Sequence, residues 1–322
     1  METKNTQKRA VFNGKVKSFE SWLNQNGDAE ILCISGEYSD DDVKKMSELL
    51  SFCQTVMVDI SELNTQRKDY EDDITDDTFK DEIYLLEKMI LNKKYGSVFK
   101  VSNHMAFSSD GLIWVHVPVD SAVEIPIGVE IIGRYAACGN KVVDYLIFPT
   151  SVRIIDDNAF SDCENLESVN MHNGITAIGE CSFDGCPIEY LRLSNSLKII
   201  PACCFAGNYL TNVVIPSSVK KIEASAFHAS HLKELRLPEG VESIKCDAVW
   251  SPGYVWFPST MREIDKDFFC DAPIQGRDEE TPYIDVDERN PWFFSKNGTL
   301  FSRDNPDKPY LGCPYNGYKW RE

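Results

Sequence analysis

LIFPTSVRIIDDNAF at residues 146–160 returns as VVIPSSVKKIEASAF at 213–227 and as LRLPEGVESIKCDAV at 235–249. Each stretch has apolar residues at positions 1, 3, 7, 10 and 15, and the same template fits seven consecutive units. Its first column is Val123, Leu146, Val169, Leu191, Val213, Leu235 and Val255. The second runs from Ile125 to Phe257 and the third from Val129 to Met261. The fourth is isoleucine throughout, from Ile132 to Ile264, and the fifth is Ala137, Phe160, Phe183, Phe205, Phe227, Val249 and Phe269. Offsets within a unit stay at 2, 4, 3 and 5, while unit lengths of 23, 23, 22, 22, 22 and 20 vary only after the fifth column. Constant spacing followed by variable spacing marks a repeat with a loop at its end.

Positions 1 and 3 alternate with polar residues, so they predict a short strand with one buried face. Proline follows the second column in five units, at Pro126, Pro149, Pro216, Pro238 and Pro258, and ends that strand. One unit cannot bury its own apolar edge. Stacking units at a spacing of about 4.8 Å gives a continuous core and a parallel sheet on one face. A polar slot lies three residues past the fifth column: Asn140, Cys163, Cys186, Asn208 and Ser230, then Pro252 and Ala272. Small polar groups there are expected to bond the backbone of the turn. The reading is a right-handed α/β repeat solenoid over about 97–310. Its terminal Ile132 should contribute less to stability than mid-array Ile200 if the array frays at its ends.

The motifs PSSVKKIEASAF (216–227) and PTSVRIIDDNAFSDC (149–163) resemble the BspA-type leucine-rich repeats of oral and gut bacteria. YIDVDERNPWFFSKNGTLFSRD, from Tyr283, is similar to the capping segment of that family, and FSSDGLIWVHV, from Phe107, looks like a second copy. Asp110-Gly111 and Asn297-Gly298 each offer the pair that a type I′ hairpin turn requires. ILCISGEYSDDDVKKMSELL, from Ile31, is similar to an entry module of these proteins. The resemblance implies surface or secreted proteins that bind other proteins, and it brings no catalytic residue.

Four segments follow: an α/β entry module at 1–95, a cap hairpin at 96–122, seven repeats at 123–275 and a C-terminal cap at 276–322. In the module, EILCISG (30–36) and TVMVDIS (55–61) read as strands, joined by a helix DDDVKKMSELL with acidic residues at its start. Such a βαβ unit should set its strands beside the first rung. KDEIYLLEKMILNKK (80–94) reads as an amphipathic helix, and DYEDDITDDTFKDE (69–82) as a solvated acidic loop.

The chain carries 51 acidic and 33 basic residues, a net charge of −18, which disfavours nucleic acid and anionic membranes as partners. No apolar run approaches the roughly 20 residues of a transmembrane segment. The polar opening METKNTQKRAVFNGKVKSF shows no leader. That places the chain in the cytoplasm if Met1 is the native start, and at the surface or outside if a leader was removed. The 11 cysteines, an odd number without a CxxC pair, read as reduced thiols.

Candidates for chemistry are sparse. His228 and His231 at HxxH spacing, near Cys246, lack the further converging ligands that zinc needs. Cys181 and Cys203 share a slot in adjacent units, within reach of a bridge but expected as stacked free thiols. DVDERN (285–290) has the oxygens of a calcium loop, yet its place in the cap points to backbone bonding. No phosphate loop or paired nucleophile and base appears, so no catalytic, cofactor or metal site is expected.

Residues alternating with the buried columns point outward from the sheet. Among them are Tyr145, Tyr190, Arg192, Arg236, Tyr254 and Trp256, the residue types that dominate interface hot spots. The sequence thus points to a non-enzymatic scaffold for protein–protein interaction, with adhesion as its finer form. The alternative is a glycan-binding module that stacks sugars on the exposed Tyr and Trp.

Overall fold

The computed structural model describes residues 8–26, 28–51, 53, 55–65, 85–102, 104–120, 122–250, 252–270 and 283–310. The acidic stretch 69–82, the start of the 80–94 helix and Ala272 lie outside them.

The apolar columns form one core. Every residue of the third, fourth and fifth columns is buried, and Ile132, Ile155, Ile200, Ile222 and Ile244 are wholly inaccessible. Val123, Ile125, Leu191 and Val213 are half-buried and still pack against it. Each proline after the second column opens a turn: its carbonyl accepts from the residue three further on, as in Val152 N–H to Pro149 O at 3.0 Å and Val219 N–H to Pro216 O at 3.0 Å. The chain then reaches the fourth column, where a second parallel ladder forms. Ile131–Ile132, Ile154–Ile155 and Ala177–Ile178 make one run of it, and Ile199–Ile200, Lys221–Ile222, Ser243–Ile244 and Glu263–Ile264 another. The solenoid therefore has a front ladder at column one and a back ladder at column four.

The corner after the back ladder has a fixed backbone signature. Three residues past six of the seven fourth-column isoleucines the chain turns left-handed, at Tyr135, Asn158, Cys181, Cys203, Ser225 and Asp247, with φ between 50° and 56°. Such a conformation costs an ordinary residue about 1–2 kcal/mol. Hydrogen bonds to the next rung offset that cost: Asn158 N–H to Glu180 O at 2.9 Å, Phe160 N–H to Ser182 O at 2.9 Å and Asp162 N–H to Asp184 O at 2.8 Å. Inside the corner, Phe160, Phe183, Phe205 and Phe227 stack with centroids 5.4, 5.5 and 5.6 Å apart.

The polar slot bonds the preceding rung. Cys163 Sγ donates to Ala137 O at 3.3 Å, Cys186 Sγ to Phe160 O at 3.0 Å, Asn208 Nδ2 to Phe183 O at 3.0 Å and Ser230 Oγ to Phe205 O at 3.3 Å. Each acceptor is the fifth-column residue of the rung before. These acceptor residues are fully buried, so the slot supplies a partner to a carbonyl that cannot reach solvent.

Pro201 interrupts the back ladder. At its position Asp156, Glu223, Lys245 and Asp265 each donate a backbone N–H to the previous isoleucine. Proline has no such group. Among the described residues no backbone hydrogen bond joins Thr176–Ile178 to Lys198–Pro201. Side chains span the gap instead, with Ser194 Oγ donating to Ile175 O at 2.6 Å and Ser196 Oγ to Asn173 O at 2.7 Å.

The N-terminal elements continue the back ladder. Arg9–Phe12, Ile31–Ile34 and Thr55–Asp59 are parallel neighbours, followed by the antiparallel strands Val98–Ser102, Met105–Ser108 and Ile113–His116. Ile113–His116 then pairs in parallel with Ile131–Ile132, completing a nine-stranded sheet. Trp114 lies opposite Ile132 and both are inaccessible, so this rung is covered rather than frayed. Asn92 ties the module to the same rung, its Nδ2 donating to Arg134 O at 3.0 Å and its Oδ1 accepting from Arg134 N–H at 3.0 Å. Helix Asp40–Ser51 is capped by Ser39, whose Oγ accepts from Asp42 N–H at 3.3 Å. An uncharged side chain thus supplies the cap where the sequence drew attention to the acidic run.

At the other end, Tyr283–Val286 adds a strand to the front ladder beside Tyr254–Phe257. The hairpin Phe293–Lys296 and Thr299–Ser302 turns at Asn297 and Gly298, with φ of 51° and 76°, as a type I′ turn requires. At Asp110-Gly111 only the glycine is left-handed, φ 77°, so that turn is not type I′. Asp110 Oδ1 instead accepts from Leu112 N–H at 3.1 Å and stabilises a wider loop.

Candidate binding face

The outward positions of the front ladder are all at least partly open, but they are not one uniform stripe. Tyr145–Ile147, Ser168–Asn170 and Tyr190–Arg192 form one three-stranded sheet, and Glu234–Arg236, Tyr254–Phe257 and Tyr283–Val286 form another. The intervening unit, Asn212–Ile215, adopts no strand and presents Val214 to solvent.

Tyr145, Tyr190 and Arg192 stand on the first sheet. Tyr145 is 59% exposed and Tyr190 69%, with Arg192 exposed beside the latter. Ile147, 75% exposed, adds an aliphatic contact that the residue-type argument passed over. Among the described residues no side-chain hydrogen bond, ion pair or ring stack holds Tyr145, Tyr190 or Arg192, which leaves them able to adapt to a surface.

Arg236, Tyr254 and Trp256 stand on the second sheet, and the first two are tied together. The Arg236 guanidinium lies 4.6 Å from the Tyr254 ring centroid and bonds Glu234 Oε2 at 3.2 Å. Tyr254 stacks on Tyr283 at 6.3 Å and donates its phenol to Asp285 Oδ2 at 3.1 Å. Burial first, and then the Asp285 carboxylate, push the Tyr254 phenol above its ordinary pKa. Arg236 is therefore a paired charge. Trp256 is half-buried and borders a cleft of about 440 Å³ with Asp285, Asp287, Glu288, Phe294 and Arg303. Tyr283 and Asp285 join this group because the cap adds a front strand. YIDV alternates as the repeats do, and that was the available signal.

A groove of about 370 Å³ opens at the N-terminal end of the face, between Ala122–Ile125 and Val142–Tyr145 with Ile147. Glu124 and Asp144 are its charged lining residues, both acidic.

The remaining candidates fall into structural roles. His228 packs edge-on against Trp250 at 4.8 Å and His231 lies against Tyr209 at 6.1 Å. Among the described residues no group of three or more His, Cys, Asp or Glu side chains converges as metal ligands. Asp287 and Asn290 bond the turn: Asp287 Oδ1 accepts from Arg289 N–H at 2.9 Å, and Asn290 Oδ1 from Trp292 and Phe293 N–H at 2.9 and 2.8 Å. Cys181 and Cys203 are free thiols on successive left-handed corners. The Cys181 thiol donates to the Cys203 sulfur, which lowers the pKa of Cys203 and raises that of Cys181. No helix among the described residues is long and apolar enough to cross a membrane.

No curated protein matches the chain. Similar solved structures include a leucine-rich cell surface protein from Faecalibacterium prausnitzii, 21% identical, covering 51% of this chain and 34% of that one, with a TM-score of 0.30. A leucine-rich repeat protein from Eubacterium ventriosum is 14% identical over 66% of this chain and 48% of its own, with a TM-score of 0.35. One from Bacteroides ovatus is 16% identical over 48% and 60%, with a TM-score of 0.30. The chain thus spans from a third to three-fifths of the length of these proteins. The family described as BspA type leucine rich repeat region matches residues 122–252 in six copies. With the buried columns, the stacked phenylalanines and the bonded polar slot, that match makes residues 122–252 a BspA-type leucine-rich repeat region.

Proposed function

We propose that this protein is a binding scaffold whose front face recognises another protein. The observation that carries the reading is the set of outward aromatic and arginine side chains on two short parallel sheets, in a chain of net charge −18. Flat side chains on a fixed backbone lose little conformational entropy on contact, and such residues dominate interface energies. Tyr145, Tyr190 and Arg192 supply the adaptable part of the contact. Arg236 and Tyr254 supply a preset one, because their network exists before any partner arrives, and Trp256 stands beside them on the same sheet. Adhesion is the finer form of this reading. Any partner protein is titrated against wild type, Trp256→Ala and Tyr190→Ala, with circular dichroism as folding control. Loss of about 2 kcal/mol or more in either variant supports the face as a hot spot. Unchanged affinity in both removes it. Arg192→Ala should slow association and flatten its salt dependence if the partner is acidic.

Glycan binding is the second reading, favoured by the cleft that sets Trp256 and Phe294 beside Asp285, Asp287 and Glu288. A ring for stacking and carboxylates for hydroxyls suit a sugar. A glycan array separates the two, since Trp256-dependent glycan binding with no protein partner would favour the second.

A further inference from the structure

The groove at the N-terminal end of the face is an interrupted sheet. Strand Tyr145–Ile147 is paired on one side only, with Ser168–Asn170. On its other side Ala122–Ile125 forms no strand, and among the described residues no backbone hydrogen bond joins that segment to residues 143–148. The direction of the unpaired groups follows from the register. The Asp144 carbonyl accepts from Glu167 and Ser168 N–H, at 2.9 and 3.2 Å. Alternate residues of a strand between two neighbours bond opposite sides, so the main-chain groups of Tyr145 and Ile147 turn toward the groove. An open strand edge of this kind is a template for another strand.

The lining states what that strand should carry. Val123, Ile125 and Val143 supply apolar walls, while Glu124 and Asp144 are the charged lining residues and are both acidic. Successive side chains of an extended segment point to opposite faces. One set can then settle over the apolar walls while the other meets the carboxylates.

We propose that this groove takes an extended segment of a partner protein as an added strand beside Tyr145–Ile147, with apolar and cationic residues in alternation. The proposal rests on the protein-binding reading and names its partner's local chemistry. The paired stretch is short, about three residues or ~10 Å, so it would orient a larger contact made by the aromatic face.

The probe is an acetylated, amidated heptapeptide of alternating valine and lysine, with three comparison peptides. One replaces lysine with glutamate, one is N-methylated at every amide, and one scrambles the alternation. The full chain is titrated by calorimetry and then followed by amide hydrogen exchange. Expected is saturable binding of the valine–lysine peptide with slowed exchange at Tyr145 and Ile147. The glutamate peptide should bind weaker by about tenfold or more, and N-methylation should abolish binding. Asp144→Lys, whose side chain is exposed, leaves Glu124 opposite a lysine and should erase the charge preference without touching the ladder. Ile147→Pro removes the edge donor at a position where an edge strand tolerates proline, and it should weaken the peptide while circular dichroism is unchanged. Equal binding of the N-methylated peptide, protection elsewhere in the chain, or no saturable binding up to millimolar peptide would each overturn the proposal. Trp256→Ala should leave peptide affinity unaltered. A partner that depends on Trp256 while the peptide fails to bind would sink strand addition alone and leave the scaffold reading standing.

Discussion

Replacing Phe183 with alanine probes what holds the rungs in register. The ring is inaccessible and stacked between Phe160 at 5.4 Å and Phe205 at 5.5 Å. Burying a phenylalanine removes roughly 150–200 Å² from water, worth about 4–5 kcal/mol at ~25 cal/mol/Å². Two stacked contacts, each ~0.5–1.5 kcal/mol, vanish with it. Collapse cannot recover much of this. Phe183 N–H is bonded to Cys204 O at 3.0 Å and Phe160 N–H to Ser182 O at 2.9 Å, so the backbone spacing on both sides is set. Phe183→Ala should therefore lose about 4–5 kcal/mol, toward the upper end of the range for such truncations. Phe183→Leu keeps most of the volume and should lose about 1–2 kcal/mol. Urea unfolding followed by circular dichroism measures both, with exposed Tyr190→Ala as the control. A loss below ~1.5 kcal/mol for the alanine variant, or one equal to the control, would show that the ladder carries register without the ring stack.

Other expectations test separate parts of the molecule. Ile132→Ala and Ile200→Ala should each cost about 2–5 kcal/mol in denaturant midpoints, because Trp114 covers Ile132 as fully as neighbouring rungs cover Ile200. A clearly smaller loss at Ile132 would restore the fraying picture. Asn208→Ala strips the donors that serve Phe183 O and Ala206 O, and should cost about 1–3 kcal/mol by the same assay. Iodoacetamide mapping by mass spectrometry should modify Cys203 before Cys181, since the Cys181 S–H stabilises the Cys203 thiolate. Cys181→Ala should slow labelling of Cys203, and faster labelling would contradict the pairing. The Arg289 side chain and backbone N–H hold Asp287 down to about 2. Its depressed pKa means that its contribution is complete above the ordinary 3.8 and is lost as pH falls through about 2. Carboxyl NMR should show that midpoint, and Arg289→Ala should move it back toward 3.8.

Much of the fold is legible because a solenoid writes its core as fixed columns. Ile132 through Ile264 and the slot from Asn140 to Ser230 are side-chain patterns, and spacing alone exposes them. The left-handed corner is hidden because Tyr135, Asn158, Cys181, Cys203, Ser225 and Asp247 share a backbone state and no residue type. Glycine would have flagged it; inter-rung hydrogen bonds make glycine unnecessary. The nine-stranded sheet depends on Trp114 lying opposite Ile132, a pairing that no local periodicity encodes. On the face, alternation identified which residues turn outward. It could not distinguish a free arginine from Arg236, which spends its charge on Glu234 and its plane on Tyr254. Nor could it show that Val123 and Ile125 fill template columns yet form no strand.

Pro201 gives the array uneven stiffness. On the back, no main-chain bond crosses from Ile178 to Ile200, while the corner bonds Cys181 N–H to Ala202 O and Phe183 N–H to Cys204 O both hold at 3.0 Å. The front ladder also passes this level intact, from Ser168–Asn170 to Tyr190–Arg192. Two of the three sides are thus stitched and the third is open. Flexure about the stitched sides widens or narrows the back gap without breaking a backbone hydrogen bond. The back of the solenoid can therefore open at this level, while the front ladder is itself interrupted at Asn212–Ile215, so both breaks bear on the distance between Tyr145 and Trp256.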